Sequence, residues 1–371
     1  MHIESLALPS IRGLNPYQPG KPISELEREL GIRDIIKLAS NENPLGPGPL
    51  ALAAARTALE SCHLYPDGGG FELKAALARH LRVEPAQITL GNGSNDVLEL
   101  IARVFLGTGV EAVFSEHAFA VYPLATQAAG AKAVVAPAHD GSRGPRYGHD
   151  LKAMHACVTP LTRVVFIANP NNPTGTRLGQ AELRGFMESL PDTTLVVVDE
   201  AYFEYVNAPD HPDALDWLAD FPQLIVTRTF SKAYGLAGFR IGYSVSSPEL
   251  ANWLNRVRLP FNVSSPALEA ARAALEDTAH LQRSVQLNRE GLAVLSEGFA
   301  ARKLDYIPSV GNFVCFDTGR AAGTVYDALL REGIIVRPVA NYGLPQHLRV
   351  TVGLPEQNQM FLGALDKVLA A

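Results

Sequence analysis

From Ile88 onward the chain alternates between short apolar runs and longer stretches in which apolar residues return every three or four positions. The runs are Ile88-Thr89-Leu90, Val110 to Phe114, Lys132 to Val135, Val164-Val165-Phe166-Ile167, Leu195-Val196-Val197-Val198, residues 224–228 and Ile241-Gly242-Tyr243-Ser244. Runs that stay apolar, instead of alternating with polar residues, predict strands buried on both faces. The intervening stretches, such as Val97, Leu98, Ile101, Val104 and Phe105, predict helices with one apolar side. Together they predict an α/β domain, a mostly parallel sheet covered by helices on both faces. Ser247-Pro248 and Ser265-Pro266 each join a capping hydroxyl to a proline suited to a first helical turn, and long helices are expected from there to about residue 301. The pattern then changes. Strands are expected near 304–307 and 312–316, a helix near 321–332, strands near 334–337 and 347–352, and a last helix from about 355, which makes a smaller C-terminal α+β domain.

Upstream of the sheet, Pro9, Pro16, Pro19 and Pro22 favour an extended arm. Ser24-Glu25-Leu26-Glu27 has a capping-box pattern, and Gly31 can close the short helix that follows. The stretch from Asn41 to Pro49 is a turn-rich break, followed by a helix over 50–60 and the glycine-rich loop Leu64 to Gly70. The expected division is an N-terminal arm with a short helix over 1–40, a large domain over 41–262 and a small domain over 263–371. The length of 371 residues suits two lobes. The net charge of −6 argues against nucleic-acid or anionic-membrane partners. No apolar run approaches the roughly 20 residues of a membrane span, and Met1-His2-Ile3-Glu4-Ser5 lacks a secretory pattern. Cys62, Cys157 and Cys315 are scattered, with neither disulfide nor metal spacing, which fits a reducing cytoplasm; no metal is expected.

Candidate chemistry gathers at the carboxyl ends of the predicted strands, where open parallel sheets bind ligands. After residues 224–228 come Thr229-Phe230-Ser231-Lys232 and, eight residues past the lysine, Arg240. After 195–198 come Asp199-Glu200-Ala201-Tyr202; after 164–167 comes Asn169-Pro170-Asn171-Asn172; after 88–90 comes Gly91-Asn92-Gly93-Ser94-Asn95. These residue types suit pyridoxal 5′-phosphate. Lys232 can condense with its aldehyde, Asp199 can hold a protonated ring nitrogen, and Asn172 and Tyr202 can donate to its phenolic oxygen. Gly93, Ser94 and Asn95 open a helix suited to phosphate, with Ser231 and Arg240 beside it, and Phe119 can stack on the ring. Each has a plainer reading: Asp199 as a helix cap, Asn172 as a turn former, Phe119 as core. A dinucleotide site would require a third glycine where Asp96 stands.

The motifs N-P-x-N-P-T-G, V-D-E-A-Y, T-F-S-K-A-Y-G-L-A-G-x-R and L-R-V-T-V-G resemble those of the fold-type-I, pyridoxal-phosphate-dependent aminotransferases, in order and over nearly the whole chain. Asn15 to Gly20, Tyr65-Pro66-Asp67-Gly68, Gly333 to Arg337 and Leu348 to Gly353 resemble the histidinol-phosphate aminotransferases among them. That resemblance implies Lys232 as the Schiff-base lysine, Asp199 and Tyr202 as its catalytic companions, and Gly93, Ser94, Asn95, Phe119, Asn172, Thr229, Ser231 and Arg240 around the cofactor. Phe119 stands where several relatives carry tyrosine. It also implies substrate contacts by Tyr17, Tyr65, Asn172, Arg337 and Arg349, with glutamate and imidazole acetol phosphate as substrates, and a homodimer whose active site is shared through Tyr65. An aromatic-amino-acid aminotransferase, a phosphate-recognising decarboxylase of the same fold, or a ligand-binding α/β protein without turnover are the other readings. Without the motifs, Arg337 and Arg349 would read as strand-edge ion pairs.

Overall fold

The computed structural model describes residues 3–370; Met1 and His2, the start of the expected arm, and Ala371 lie outside the described residues. The first strand, β1 (Ile36–Lys37), leaves the arm and joins the small lobe. The large sheet is built from β2 (Ile88–Gly91), β3 (Glu111–Ser115), β4 (Lys132–Ala136), β5 (Thr162–Ala168), β6 (Leu195–Asp199), β7 (Leu224–Thr229) and β8 (Gly242–Ser246). Its spatial order is β2-β8-β7-β6-β5-β3-β4, parallel throughout except for β8, which runs against both neighbours. The expected α/β architecture is therefore present. Along the central strands successive side chains enter opposite cores. Val165, Ile167, Val196, Val198, Leu224 and Val226 face one; Val164, Phe166, Val197 and Ile225 face the other. Two buried faces explain why these runs do not alternate with polar residues.

The small lobe carries β9 (Tyr306–Ile307), β10 (Phe313–Asp317), β11 (Ile334–Ile335), β12 (Arg337–Pro338) and β13 (His347–Thr351). An antiparallel sheet β12-β13-β10-β9 packs against helices Thr278–Ala301, Ala322–Arg331 and Pro355–Ala370, while β11 pairs in parallel with β1.

Several local expectations shift. The arm is not wholly extended: Ile3–Leu6 and Pro9–Arg12 form short helical turns, Pro9 sitting at the start where its missing N–H is not needed. Helix Ile23–Leu30 begins one residue before Ser24, so Pro22 is the flanking residue and no side chain caps the helix. Gly31 does close it, in the left-handed region at φ 67°. Ser247 caps as expected, but the second cap is Ser264, not Ser265. Helix Ser265–Ala274, expected in the small domain, presses Ala267, Ala270, Ala271 and Ala274 into the core of the large sheet; small side chains let it approach helix Pro49–Leu59 closely. Ile36 and Leu38 of the arm lie in the small-lobe core.

One buried ion pair fixes the loop that leaves β6. Arg228, near the end of β7, donates through Nε and Nη2 to Oε2 of Glu200 at 2.9 and 2.7 Å, and Nη2 also reaches Asp213 Oδ1 at 2.7 Å. Its guanidinium lies 3.7 Å from the Phe203 ring centroid. The Glu200 side chain is fully buried, and its other oxygen accepts from the Ala214 amide. Glu200 lies between Asp199 and Tyr202, so the pair holds both sides of a chemically pointed segment. Arg228→Met strands the carboxylate in the core and is expected to lower stability by about 3–5 kcal/mol, read as the urea midpoint of the cofactor-free protein; a change below about 1 kcal/mol would show that the pair is not the anchor.

Candidate active site

The register of the large sheet sets Ala168, Asp199 and Thr227 side by side on β5, β6 and β7. Beyond this carboxyl edge lies a cavity of about 370 Å³, closed by the arm on one side and the small-lobe sheet on another. Lys232, Asp199, Tyr202, Asn172, Arg337 and Arg349 all line it.

Lys232 sits in the loop that follows β7, where the Ser231 amide donates to Thr229 Oγ1 at 3.1 Å. Its ammonium donates to the Ser40 carbonyl at 3.2 Å and lies 5.7 Å from the Tyr202 ring centroid. Burial pushes its pKa down to about 7, and the Arg349 guanidinium adds to the effect. A neutral amine is therefore abundant near pH 7. Asp199 is buried, and both carboxylate oxygens are held: Tyr122 donates to Oδ2 at 2.8 Å and Thr227 to Oδ1 at 3.0 Å. Burial raises its pKa, opposed by those two hydroxyls. The helical turn beyond it starts at Phe203 with Tyr202 at the cap position, so Asp199 does not cap a helix. The Tyr202 hydroxyl accepts from Asn41 Nδ2 at 2.8 Å.

Gly93 ends the turn before helix Ser94–Phe105, at φ +82°. A Cβ there would fall 2.5 Å from Arg240 Nη2, so the guanidinium lies against the start of the helix only because the residue is glycine. Arg240 also reaches the Ala237 carbonyl at 2.9 Å and Ser231 Oγ at 3.5 Å. The first amides of a helix have no intrahelical acceptor and favour an anion; Ser94, Asn95, Thr229, Ser231 and Arg240 all line the cavity. Phe119 lines it too, its ring edge-on to Tyr122 at 5.9 Å.

Arg337 and Arg349 stand directly opposite each other on β12 and β13. Both are buried, and neither pairs with a carboxylate among the described residues, so the ion-pair reading is set aside. Arg349 donates to Asn172 Oδ1 and, at 2.7 Å, to the Ala39 carbonyl, while its Nε has no partner among the described residues. Arg337 donates to the Gln18 carbonyl at 2.6 Å, with the Tyr17 ring centroid 5.7 Å from its guanidinium carbon. Like charges facing across a strand pair repel, so the arrangement is built for an anion. Two expected residues do not line this cavity: Gly93, which meets it only through the Arg240 guanidinium packed against it, and Tyr65, which lies 83% exposed, stacked on Phe261 at 4.7 Å.

Sequence reading missed Tyr122, Thr227, Ser40 and Asn41. Tyr122 and Thr227 lie inside apolar patterns and read as core; Ser40 and Asn41 lie at the edge of a proline- and glycine-rich break and read as turn formers.

A family model described as aminotransferase class I and II matches residues 33–365. The chain is 65% identical over 369 residues to histidinol-phosphate aminotransferase 2 of Methylococcus capsulatus, covering 100% of both chains. It is 59% identical to histidinol-phosphate aminotransferase 2 of Pseudomonas fluorescens, covering 99% of this chain and 98% of the other. Among solved structures, histidinol-phosphate aminotransferase from Sinorhizobium meliloti in complex with pyridoxal-5′-phosphate superposes with a TM-score of 0.90 at 32% identity, over 99% of this chain and 98% of that one. Full-length agreement in sequence and fold places the chain in the class I and II aminotransferases, within the family of the histidinol-phosphate aminotransferases.

Proposed function

We propose that the protein is a pyridoxal-phosphate-dependent transaminase that moves an amino group from L-glutamate to imidazole acetol phosphate, giving 2-oxoglutarate and L-histidinol phosphate in histidine biosynthesis. The observation that carries the reading is Lys232, its pKa brought to about 7, in one cavity with the buried Asp199 carboxylate and two buried arginines that form no ion pair among the described residues. The donor set fits the cofactor: Lys232 for the aldehyde, Asp199 for the ring nitrogen, Asn172 and Tyr202 for the phenolic oxygen, Phe119 for the ring face. Gly93, Ser94, Asn95, Thr229, Ser231 and Arg240 would hold the phosphate. When bound, pyridoxal phosphate supplies an aldehyde that amines capture and a protonated ring that takes up the electron pair left when the substrate carbon loses its proton.

The protein's own groups do the rest. Lys232 Nζ would take the proton from the amino-bearing carbon as base and deliver it, as acid, to the carbon that had been the cofactor's aldehyde. Asp199, locked by Tyr122 and Thr227, holds its charge at a fixed place. Arg349 and Arg337 meet a carboxylate in one half-reaction and the phosphate of the other substrate in the second, with Tyr17 beside them. The relatives' names favour this substrate pair over aromatic amino acids or decarboxylation. Rates with imidazole acetol phosphate against aromatic 2-oxo acids test the choice directly. A cytoplasmic location goes with a biosynthetic role.

A homodimer sharing its active sites completes the reading. Tyr65 is solvent-facing and stacked on Phe261, and Leu64 and Leu259, near these two in sequence, are exposed as well. Apolar surface gathered in one patch marks an interaction site, and a second copy seated there would bring Tyr65 to the neighbouring cavity.

Borohydride reduction of the protein loaded with cofactor is expected to fix it to Lys232, as mapped by peptide mass. Because burial lowers the lysine's pKa, capture of cofactor by the free protein should accelerate as pH rises through about 7 and level off above it. A midpoint near the ordinary lysine value would contradict the assigned environment. Lys232→Ala should keep the cofactor non-covalently and lose transamination.

Asp199→Asn keeps the shape of the side chain and removes its charge. Proton removal from the substrate carbon should slow by roughly 10²-fold or more in single turnovers, while cofactor still attaches to Lys232. Rates like those of the unaltered protein would remove Asp199 from this role.

For the shared site, Lys232→Ala chains mixed with Tyr65→Asp chains should regain activity, since each heterodimer then holds one intact site. Tyr65→Phe alone should weaken histidinol phosphate binding by about tenfold. Absence of recovery, with heterodimers shown to form, would assign Tyr65 to its own chain.

A further inference from the structure

The segment that crosses from the arm to the large domain grips the cavity's side chains in consecutive steps. Arg349 Nη2 donates to the Ala39 carbonyl at 2.7 Å, Lys232 Nζ donates to the Ser40 carbonyl at 3.2 Å, and Asn41 Nδ2 donates to the Tyr202 hydroxyl at 2.8 Å. Asn41 is 1% exposed and takes the left-handed conformation at φ 53°, which asparagine tolerates better than most residues.

The orientation of its amide follows from its partners. The Asn41 backbone N–H donates to Thr351 Oγ1 at 2.9 Å, so the Thr351 proton must go elsewhere, and Asn41 Oδ1 stands 3.2 Å away to accept it. The amide oxygen is thereby turned to Thr351 and the amide nitrogen to Tyr202. A phenol oxygen that accepts from Asn41 cannot direct its own proton back along that line. The proton is turned to the other side, into the cavity that Tyr202 lines.

We propose that Asn41 is a positioning residue that commits the Tyr202 hydroxyl to act as a hydrogen-bond donor toward the phenolic oxygen of bound pyridoxal phosphate, with Thr351 of the small-lobe sheet locking the amide in the required orientation. The inference rests on the reading of the cavity as a pyridoxal phosphate site. Accepting from Asn41 also strengthens the phenol as a donor, since linked hydrogen bonds polarise one another. A donor on the ligand's phenolic oxygen favours the ionised form of that oxygen, so it lowers the pH at which the bound cofactor changes colour. Loss of the donor raises it.

The test is a pH titration of the visible band of the loaded protein, with melting temperature recorded alongside. Tyr202→Phe should raise the colour midpoint. Asn41→Gly, chosen because glycine accepts the positive φ, should raise it by about half to one pH unit. Asn41→Asp should raise it as far as Tyr202→Phe, because a carboxylate there draws the phenol proton away from the cavity. Combining Asn41→Gly with Tyr202→Phe should move the midpoint no further than Tyr202→Phe alone. An unmoved midpoint in fully loaded Asn41→Gly, or an additive shift in the double variant, overturns the proposal and leaves Asn41 a structural residue. If the Asn41 variants do not fold, Thr351→Val unlocks the amide without touching the left-handed position; it should shift the midpoint the same way by a smaller amount, and an unmoved midpoint overturns the proposal equally. Failure of the cofactor reading looks different: the unaltered protein would show no visible band with added pyridoxal phosphate.

Discussion

The structure is governed by the need to keep several charges out of water without cancelling them. Asp199, Lys232, Arg337 and Arg349 share one cavity, and a lone buried charge is costly by several kcal/mol. The protein answers with fixed dipoles and little opposite charge. Two hydroxyls hold Asp199, carbonyls hold Lys232 and both arginines, and Asn172 meets Arg349. Charge left partly unbalanced in this way is available to a ligand, which a closed ion pair such as Arg228–Glu200 is not. The apolar sheet beneath, buried on both faces, supplies the stability that tolerates such a site.

The crossover from arm to large domain ties the two lobes to the chemistry. Asn43 donates to the Ala233 carbonyl, next to Lys232, and to Ser284 on the long helix Thr278–Ala301. Asn312, just before β10, donates to the Asn41 carbonyl at 3.0 Å. The same strand that carries Arg349 carries Thr351, which meets Asn41. A ligand held by Arg349 therefore bears on a strand whose other contacts end at Tyr202 and, through Ala39 and Ser40, beside Lys232. Arg349 of the small lobe and Lys232 of the large one thus share a backbone segment of a few residues.

Much of this was legible in the chain. Two buried faces demand runs such as Leu195 to Val198 without polar interruption, and parallel strands demand helices between them, so pattern alone gave the sheet and its covering layers. Lys232, Asp199, Asn172 and Gly93 were legible because each follows such a run, and the carboxyl ends of parallel strands converge. Arg240 was legible beside them because its loop begins there. What only the tertiary structure decided depends on partners far apart in sequence. Helix Ser265–Ala274 joined the large core because its alanines fit closely against helix Pro49–Leu59, a packing choice that helical periodicity does not encode. Tyr122 and Thr227 have the spacing of core residues, and only the fold brings their hydroxyls to Asp199. Asn41 reads locally as a turn former; its hydrogen-bond partners are Thr351, 310 residues away, and Tyr202, 161 away. A hydrogen bond constrains both partners, but each partner's local sequence records only its own backbone preference.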